Sequence, residues 1–174
     1  MKSVLLSIVA ALAVAPLAWA DDVTVKLSDV HLCCDSCVKS VDKAVATVDG
    51  AKDTCDKTAK EIVITAPDKA TAQKAVDALT KAGFFGTCTD PDIKVNASTG
   101  AKGDKVQTLK VEGIHMCCPK CVKGLNAAVK DVPGLMTNNA TKGAKVIVFT
   151  GDFKDSDLMD ALQKAGFTGK IIAD

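Results

Sequence analysis

Hydrophobic and polar positions recur along the chain in two different periods. Val23, Val25 and Leu27 alternate with polar residues, which is typical of a half-buried strand. Apolar residues then recur at spacings of three and four, on one face of a predicted helix. These helical positions are Val38, Val41, Val45 and Val48. A second strand-like run at 62–65 and a second helical pattern that stops at Gly83 follow, and a short final strand is predicted after them.

The same pattern occurs a second time. A shift of 84 positions places 31–39 on 115–123, and a shift of 83 places 81–84 on 164–167. Self-similarity over such a length favours two domains of about 70 residues over one large domain. We predict domains over 21–90 and 106–174. The stretch 91–105 between them is poor in large apolar residues and has the proline and glycines of a flexible linker.

Each copy has the order strand, helix, strand, strand, helix, strand. This is the split βαβ pattern, in which two helices cover one face of an antiparallel sheet. The predicted fold class is therefore α+β, with two ferredoxin-like βαββαβ sandwiches in tandem. The segments 52–57 and 136–141 have little β propensity, and 136–139 has the composition of a loop. A strand in either segment is expected to be a short edge strand.

The first twenty residues form a predicted secretory signal. Lys2 precedes an apolar run at 4–17, and Ala18-Trp19-Ala20 has the small residues of a cleavage site. An N-terminal membrane anchor is the alternative, but it needs about 20 apolar residues. We therefore assign 1–20 to the signal and expect a periplasmic or secreted protein with no membrane insertion after cleavage.

Charge and composition argue against nucleic-acid binding. All 22 basic residues are Lys, the formal net charge is +1, and there is no basic run. The chain therefore lacks the guanidinium groups that read base edges. Lysines 39, 43, 123 and 130 are predicted on the solvent side of the first helix of each copy, where they could contact an acidic partner.

Candidate chemistry lies in a His-x-Cys-Cys-x-x-Cys segment that both copies contain between the first strand and first helix. The main candidate ligands are Cys34 with Cys37 and Cys118 with Cys121; the additional ones are Cys33, Cys117, His31 and His115. Thiolates are soft donors that select Cu(I), Zn, Cd or Hg over Mg or Ca. Two thiolates suffice for linear Cu(I) or Hg, whereas four N and S ligands suit tetrahedral Zn or Cd. We expect one soft ion per domain.

The alternative use of these cysteines in an exported chain is a disulfide framework. The first copy has five cysteines and the second has three, so complete pairing within each copy is impossible. Metal binding without catalysis is thus the favoured interpretation. Two alternatives stay open: an exported thiol-disulfide oxidoreductase that uses Cys34 and Cys37, and a structural interaction module stabilised by cysteines.

At these residues the chain resembles the heavy-metal-associated domains of soluble copper chaperones, of metal-pumping P-type ATPases and of a periplasmic mercury-binding protein. The run 116–121 fits the family motif Gly-Met-x-Cys-x-x-Cys from its Met onward, with Leu32 at the Met place in the first copy. The inserted vicinal Cys and the His depart from the copper-chaperone pattern. The resemblance implies the βαββαβ fold, and Phe84 and Phe167 as residues that pack close to the metal loop.

The resemblance also implies a function and partners. The expected protein is an exported binder of soft metal ions that acts in scavenging, buffering or delivery. Its expected partners are metal ions and a membrane metal transporter or metallochaperone.

Cys55 and Cys88 have no counterpart in the second copy. In the family's sheet order the second and fourth strands are opposite edges, about 14 Å apart. This exceeds the Cα separation of a disulfide, so we predict that they are not bonded to each other. Because Ile171 stands at the equivalent place, Cys88 is predicted to be a small buried apolar residue.

Overall fold

A computed structural model describes residues 22–173, and the predicted signal segment lies outside this range. Within it, no helix has both the length and the apolar character needed to cross a membrane. The first domain contains β1 (Val23–Ser28), α1 (Asp35–Val45), β2 (Lys52–Asp56), β3 (Glu61–Ala66), α2 (Lys69–Lys81) and β4 (Thr87–Cys88). The second contains β5 (Lys105–Glu112), α3 (Pro119–Val129), β6 (Leu135–Asn138), β7 (Val146–Lys154), α4 (Asp155–Lys164) and β8 (Lys170–Ile172).

Each domain has one four-stranded antiparallel sheet. The strand orders are β2-β3-β1-β4 and β6-β7-β5-β8, so the predicted split βαβ topology is confirmed in both copies. Cys55 lies in β2 and Cys88 in β4, which are opposite edges of the first sheet as predicted. The expected full burial of Cys88 is wrong: it is half-buried, because β4 is a two-residue edge strand.

The second sheet has the short edge strand that is expected if the segment 136–141 pairs at all, and its central strand β7 is longer than the equivalent β3. Residues with loop composition form the edge strand β6, since pairing with β7 supplies the backbone bonds that side-chain propensity does not favour. A hydroxyl contact of 3.0 Å between Thr137 and Thr150 joins the two strands. In addition, β7 extends to Lys154, four residues beyond Thr150, and Phe153 in this extension is buried.

The helical pattern identifies the core face of the first helix in part: Val41 and Val45 are buried as predicted, whereas Val38 and Val48 are only half-buried. In α1 the buried residues are Cys37, Val41 and Val45, and in α3 they are the equivalent Cys121, Leu125 and Val129. Burial of each aliphatic side chain contributes about 1.5–3 kcal/mol. Because a cysteine opens each buried stripe, the same helix face that fills the core also directs one thiol inward.

The connector between the domains begins along α2. Ile93 is buried, and Gln73 of α2 bonds Lys94 twice, donating to its carbonyl at 2.7 Å and accepting from its N–H at 2.8 Å. These bonds hold a segment that the sequence predicts to be flexible.

The second half of the connector lies against the second domain. The Ile171 N–H donates to the Thr99 carbonyl at 2.8 Å. The buried Asp155 carboxylate accepts from the N–H groups of Lys102 at 3.0 Å and Gly103 at 2.7 Å. The connector is thus held by hydrogen bonds between its backbone groups and the side chains of Gln73 and Asp155, together with one to the backbone of Ile171. A composition poor in large apolar side chains does not reveal such bonds.

The two domains pack against each other through the segments that follow α2 and α4. Phe84 and Phe167 form an isolated antiparallel β-bridge, and both side chains are buried. The flanking hydrogen bonds are reciprocal: Phe85 N donates to Gly166 O at 3.1 Å, and Thr168 N donates to Gly83 O at 3.1 Å. Equivalent residues thus meet around a local two-fold axis.

Glycine is required on both sides of this pairing. Gly83 and Gly166 have φ of +87° and +82°, in the left-handed region that ends each helix. A Cβ on Gly83 would lie 2.3 Å from the Gly113 carbonyl oxygen, and one on Gly166 would lie 2.2 Å from the His31 nitrogen. Each glycine therefore permits close approach to the loop that precedes the first helix of the other domain.

Candidate metal centre

The helix starts position the Cys-x-x-Cys pairs. Cys34 and Cys118 are the N-cap residues of α1 and α3, with extended φ of −164° and −152°. Their carbonyls accept the N–H groups of Cys37 and Cys121 at 3.0 Å, which closes the first turn. Both thiols of each pair therefore lie at a helix N-terminus, where the backbone dipole favours a thiolate over a thiol.

The thiols of the two domains meet in one cluster, which we call the six-sulfur cluster. Its members are Cys33, Cys34, Cys37, Cys117, Cys118 and Cys121. Neighbouring sulfurs lie 3.5–3.7 Å apart, both within and between domains. Cys37 and Cys121 are fully buried and the other four half-buried. The sequence identified all six sulfurs as candidates but did not predict that the two sets meet.

The histidines and phenylalanines of the motif pair across the domain interface. The His31 ring stacks on Phe167 with centroids 4.1 Å apart, and the His115 ring lies 4.4 Å from that of Phe84. Each phenylalanine thus contacts the metal-loop histidine of the other domain. Through these ring contacts the Phe84–Phe167 bridge is joined to the histidines of both metal loops.

Both histidines have a nitrogen close to the sulfurs. A nitrogen of His31 lies within 4.8 Å of the sulfurs of Cys33 and Cys121, and a nitrogen of His115 lies within 4.8 Å of Cys37, Cys117 and Cys121. The Nε2 atoms of both are buried and have no hydrogen-bond partner among residues 22–173. Because buried polar atoms are normally satisfied, these orphaned atoms fit a role beside a bound ion.

Gly124 is a component of the site that sequence reasoning missed. A Cβ at this α3 position would lie 2.6 Å from Cε1 of His31. The equivalent residue of α1 is Ser40, so the two copies differ here. The sequence does contain a signal for this contact: Gly124 lies inside a predicted helix, at a position where the first copy has Ser40. Because glycine weakens a helix, its presence there indicates that another part of the chain packs closely against the helix.

The buried thiols share protons. The pKa of Cys37 lies well below its usual range because the neighbouring thiols, Cys121 first, stabilise its thiolate. The pKa of Cys121 is raised, first by its interaction with the Cys37 sulfur and then by burial. Burial also raises the pKa of Cys33 and of Cys117. Burial opposes ionisation of Cys118, but hydrogen bonds from the Cys121 backbone N–H and from neighbouring thiols outweigh it and lower its pKa to about 6. Hydrogen bonds among the thiols thus stabilise part of the negative charge, and a bound cation favours ionisation of the rest.

Burial lowers the pKa of His31. The sign of this shift keeps the imidazole neutral near pH 7, which is the form that binds metals.

A second group of possible ligands lies on the first sheet and α1, away from the six-sulfur cluster. Asp42, Asp53 and Cys55 offer one ligand atom each within 4.8 Å of one another. Burial, followed by the Asp53 charge, raises the pKa of Cys55 to about 12. This thiol therefore stays protonated at neutral pH, and the group lacks the clustered thiolates that soft metals prefer.

Comparison with known proteins gives similarities of fold. No protein-family model matches the chain. A crystal structure of a copper-binding domain from HMA7, a P-type ATPase, is similar over 39% of this chain and 96% of its own, with 22% identity and a TM-score of 0.36.

Two further structures extend over both domains. The N-terminal soluble domains of Bacillus subtilis CopA match 88% of this chain and 95% of their own, with 14% identity and a TM-score of 0.31. The first two RRM domains of yeast Pub1 match 86% of this chain and 97% of their own, with 14% identity and a TM-score of 0.25. At these values the similarities assign neither a family nor a function.

The class of site follows from its donors. Six thiols within contact distance, flanked by two imidazoles, form a soft donor set. The arrangement is that of a binding site for thiophilic metal ions.

Proposed function

We propose that the protein is an exported, non-catalytic binder of soft metal ions that acts in scavenging, buffering or delivery to a membrane transporter or metallochaperone. The observation that carries this proposal is the six-sulfur cluster, whose neighbouring sulfurs lie 3.5–3.7 Å apart. This spacing is close to the S···S edge of about 3.8 Å in a tetrahedral site with metal–sulfur bonds of ~2.3 Å.

The cluster also supports binding over thiol-disulfide exchange. An oxidoreductase presents one nucleophilic sulfur to its substrate, in an exposed and electropositive setting. Here Cys37 and Cys121 are fully buried, and the half-buried Cys34 contacts sulfurs of both domains. Enclosure of the thiolates favours retention of an ion, and hence scavenging or buffering over rapid delivery.

An anaerobic titration tests the proposal. The reduced chain 21–174 is titrated separately with Cu(I), Zn, Cd and Hg while free thiols are counted. Two equivalents that protect six of the eight thiols, with Cys55 and Cys88 still reactive, support metal binding. No binding of any of the four ions, together with turnover of a disulfide substrate, would establish the oxidoreductase instead.

Export has a separate test. The proposed signal predicts that protein recovered from the periplasm or medium begins at Asp21. N-terminal sequencing of that fraction measures this directly, and an intact N-terminus on membrane-bound protein would identify an anchor.

A further inference from the structure

The six thiols could be divided between two ions domain by domain, or each ion could be bound by thiols of both domains. The positions of Cys33 and Cys117 distinguish these two arrangements. The Cys33 sulfur lies 3.5 Å from those of Cys118 and Cys121 in the second domain, and 3.6 Å from Cys37 in its own. The Cys117 sulfur lies 3.7 Å from Cys34 and 3.6 Å from Cys37 in the first domain. The first cysteine of each vicinal pair therefore contacts both sulfurs of the opposite Cys-x-x-Cys pair.

These distances define two triangles of sulfur. One contains Cys34, Cys37 and Cys117, with sides of 3.6–3.7 Å. The other contains Cys33, Cys118 and Cys121, with sides of 3.5–3.7 Å. Three further distances of 3.6–3.7 Å join the triangles into a trigonal prism: Cys33 to Cys37, Cys34 to Cys118, and Cys117 to Cys121.

Each triangle has the size of a three-thiolate site. The centre of an equilateral triangle with sides of about 3.6 Å lies about 2.1 Å from its corners, and a metal–sulfur bond is ~2.3 Å. An ion less than about 1 Å out of the plane would thus reach all three sulfurs at normal bond length. No displacement of the domains is required.

We propose that each soft metal ion is bound by three thiolates from both domains: the Cys-x-x-Cys pair of one domain and the first vicinal cysteine of the other. This inference rests on the proposed metal-binding function and adds the division of ligands. Each thiol releases its proton to solvent as it binds, and the chain takes up two ions in a site that is complete only when the domains are packed together.

A pair of matched triple variants separates this arrangement from one confined to single domains. Cys34→Ser/Cys37→Ser removes one triangle and leaves Cys33, Cys117, Cys118 and Cys121. Adding either Cys33→Ser or Cys117→Ser then deletes one vicinal cysteine from the same background. The affinity for Cu(I) is measured anaerobically in competition with a chromophoric chelator, and far-UV circular dichroism checks the fold.

The cross-domain arrangement predicts that Cys33→Ser lowers Cu(I) affinity in this background, whereas Cys117→Ser changes it less than threefold. Loss of a direct ligand should exceed the roughly 10–100-fold cost of losing an outer-shell partner. The mirror background Cys118→Ser/Cys121→Ser should reverse the ranking. It also supplies an independent test if one background fails to fold.

Equal losses in both triple variants, or a larger loss from Cys117→Ser in the first background, would overturn the cross-domain assignment while metal binding itself stands. Absence of Cu(I) binding to the unsubstituted chain would instead overturn the proposed function. The two failures therefore give different results in one series of measurements.

Discussion

The close approach at Gly166 gives a sharp test of the domain interface. In Gly166→Ala the new Cβ would lie 2.2 Å from the His31 nitrogen and 2.6 Å from the Asp29 carbonyl oxygen, both backbone atoms of the other domain. Backbone cannot move aside as the end of a flexible side chain can. We expect the substitution to force the domains apart at this point.

Gly103→Ala is the matched control. Gly103 has φ of +84°, close to the +82° of Gly166, but a Cβ there meets nothing within 4 Å. Both variants incur the cost of a left-handed alanine, about 1–2 kcal/mol. Only Gly166→Ala adds overpacking, which costs about 1–3 kcal/mol. The expected loss in free energy of unfolding is therefore about 1–2 kcal/mol for the control and about 2–5 kcal/mol for Gly166→Ala.

Urea denaturation of the reduced, metal-free protein measures both losses, with stability taken by linear extrapolation. Gly83→Ala, whose Cβ would lie 2.3 Å from the Gly113 carbonyl oxygen, should behave like Gly166→Ala. Cu(I) competition then shows whether separation of the domains also weakens binding. Equal losses for Gly166→Ala and Gly103→Ala would refute the packing of the domains at this point.

Three further predictions concern single side chains. Gly124→Ala should destabilise the chain when His31 is present, because the new Cβ would contact the His31 ring. In a His31→Ala background it should instead stabilise the chain by about 0.5–1 kcal/mol, because the higher helix propensity of alanine then dominates. Urea denaturation measures both effects, and equal effects in the two backgrounds would contradict the contact. The pKa of about 12 predicts that the rate of Cys55 alkylation rises about tenfold per pH unit between pH 8 and 10. Mass spectrometry of the alkylated peptide measures this rate, and a plateau in the Cys55 rate below pH 10 would contradict the raised pKa. Asp155→Ala should lower the free energy of unfolding in urea by about 1–3 kcal/mol and make 99–104 susceptible to proteolysis, because two backbone N–H groups lose a buried acceptor. Unchanged proteolysis would show that the connector is held without this carboxylate.

The fold within each domain is predictable from sequence because its determinants are local. The spacing of Val41 and Val45 gives the buried face of α1, and Gly83 correctly marks the end of α2. Edge strands are less predictable from sequence, since β6 depends on its partner β7 more than on the propensity of its residues. Periodicity and turn residues therefore recover the topology, and they leave strand lengths to tertiary pairing.

The contact between the domains was not predictable in the same way. A glycine at 166 is already explained by the end of α4, so the sequence pattern does not indicate that it also packs closely against the His31 backbone. The repeat likewise predicts two equivalent cysteine sets but does not specify their separation. Anchoring of the connector through Asp155 and Gln73 depends on side chains distant in sequence. Non-local contacts of this kind determine that six thiols form one cluster.

The pairing of Phe84 with Phe167 has a consequence for how the protein behaves on dilution. A two-fold site built from separate chains dissociates as the protein becomes dilute, because its halves meet by a second-order encounter. Here both halves belong to one chain, and the connector maintains a high effective concentration of one for the other. Assembly of the site is therefore a first-order event, and its affinity for an ion should be the same at nanomolar and micromolar protein.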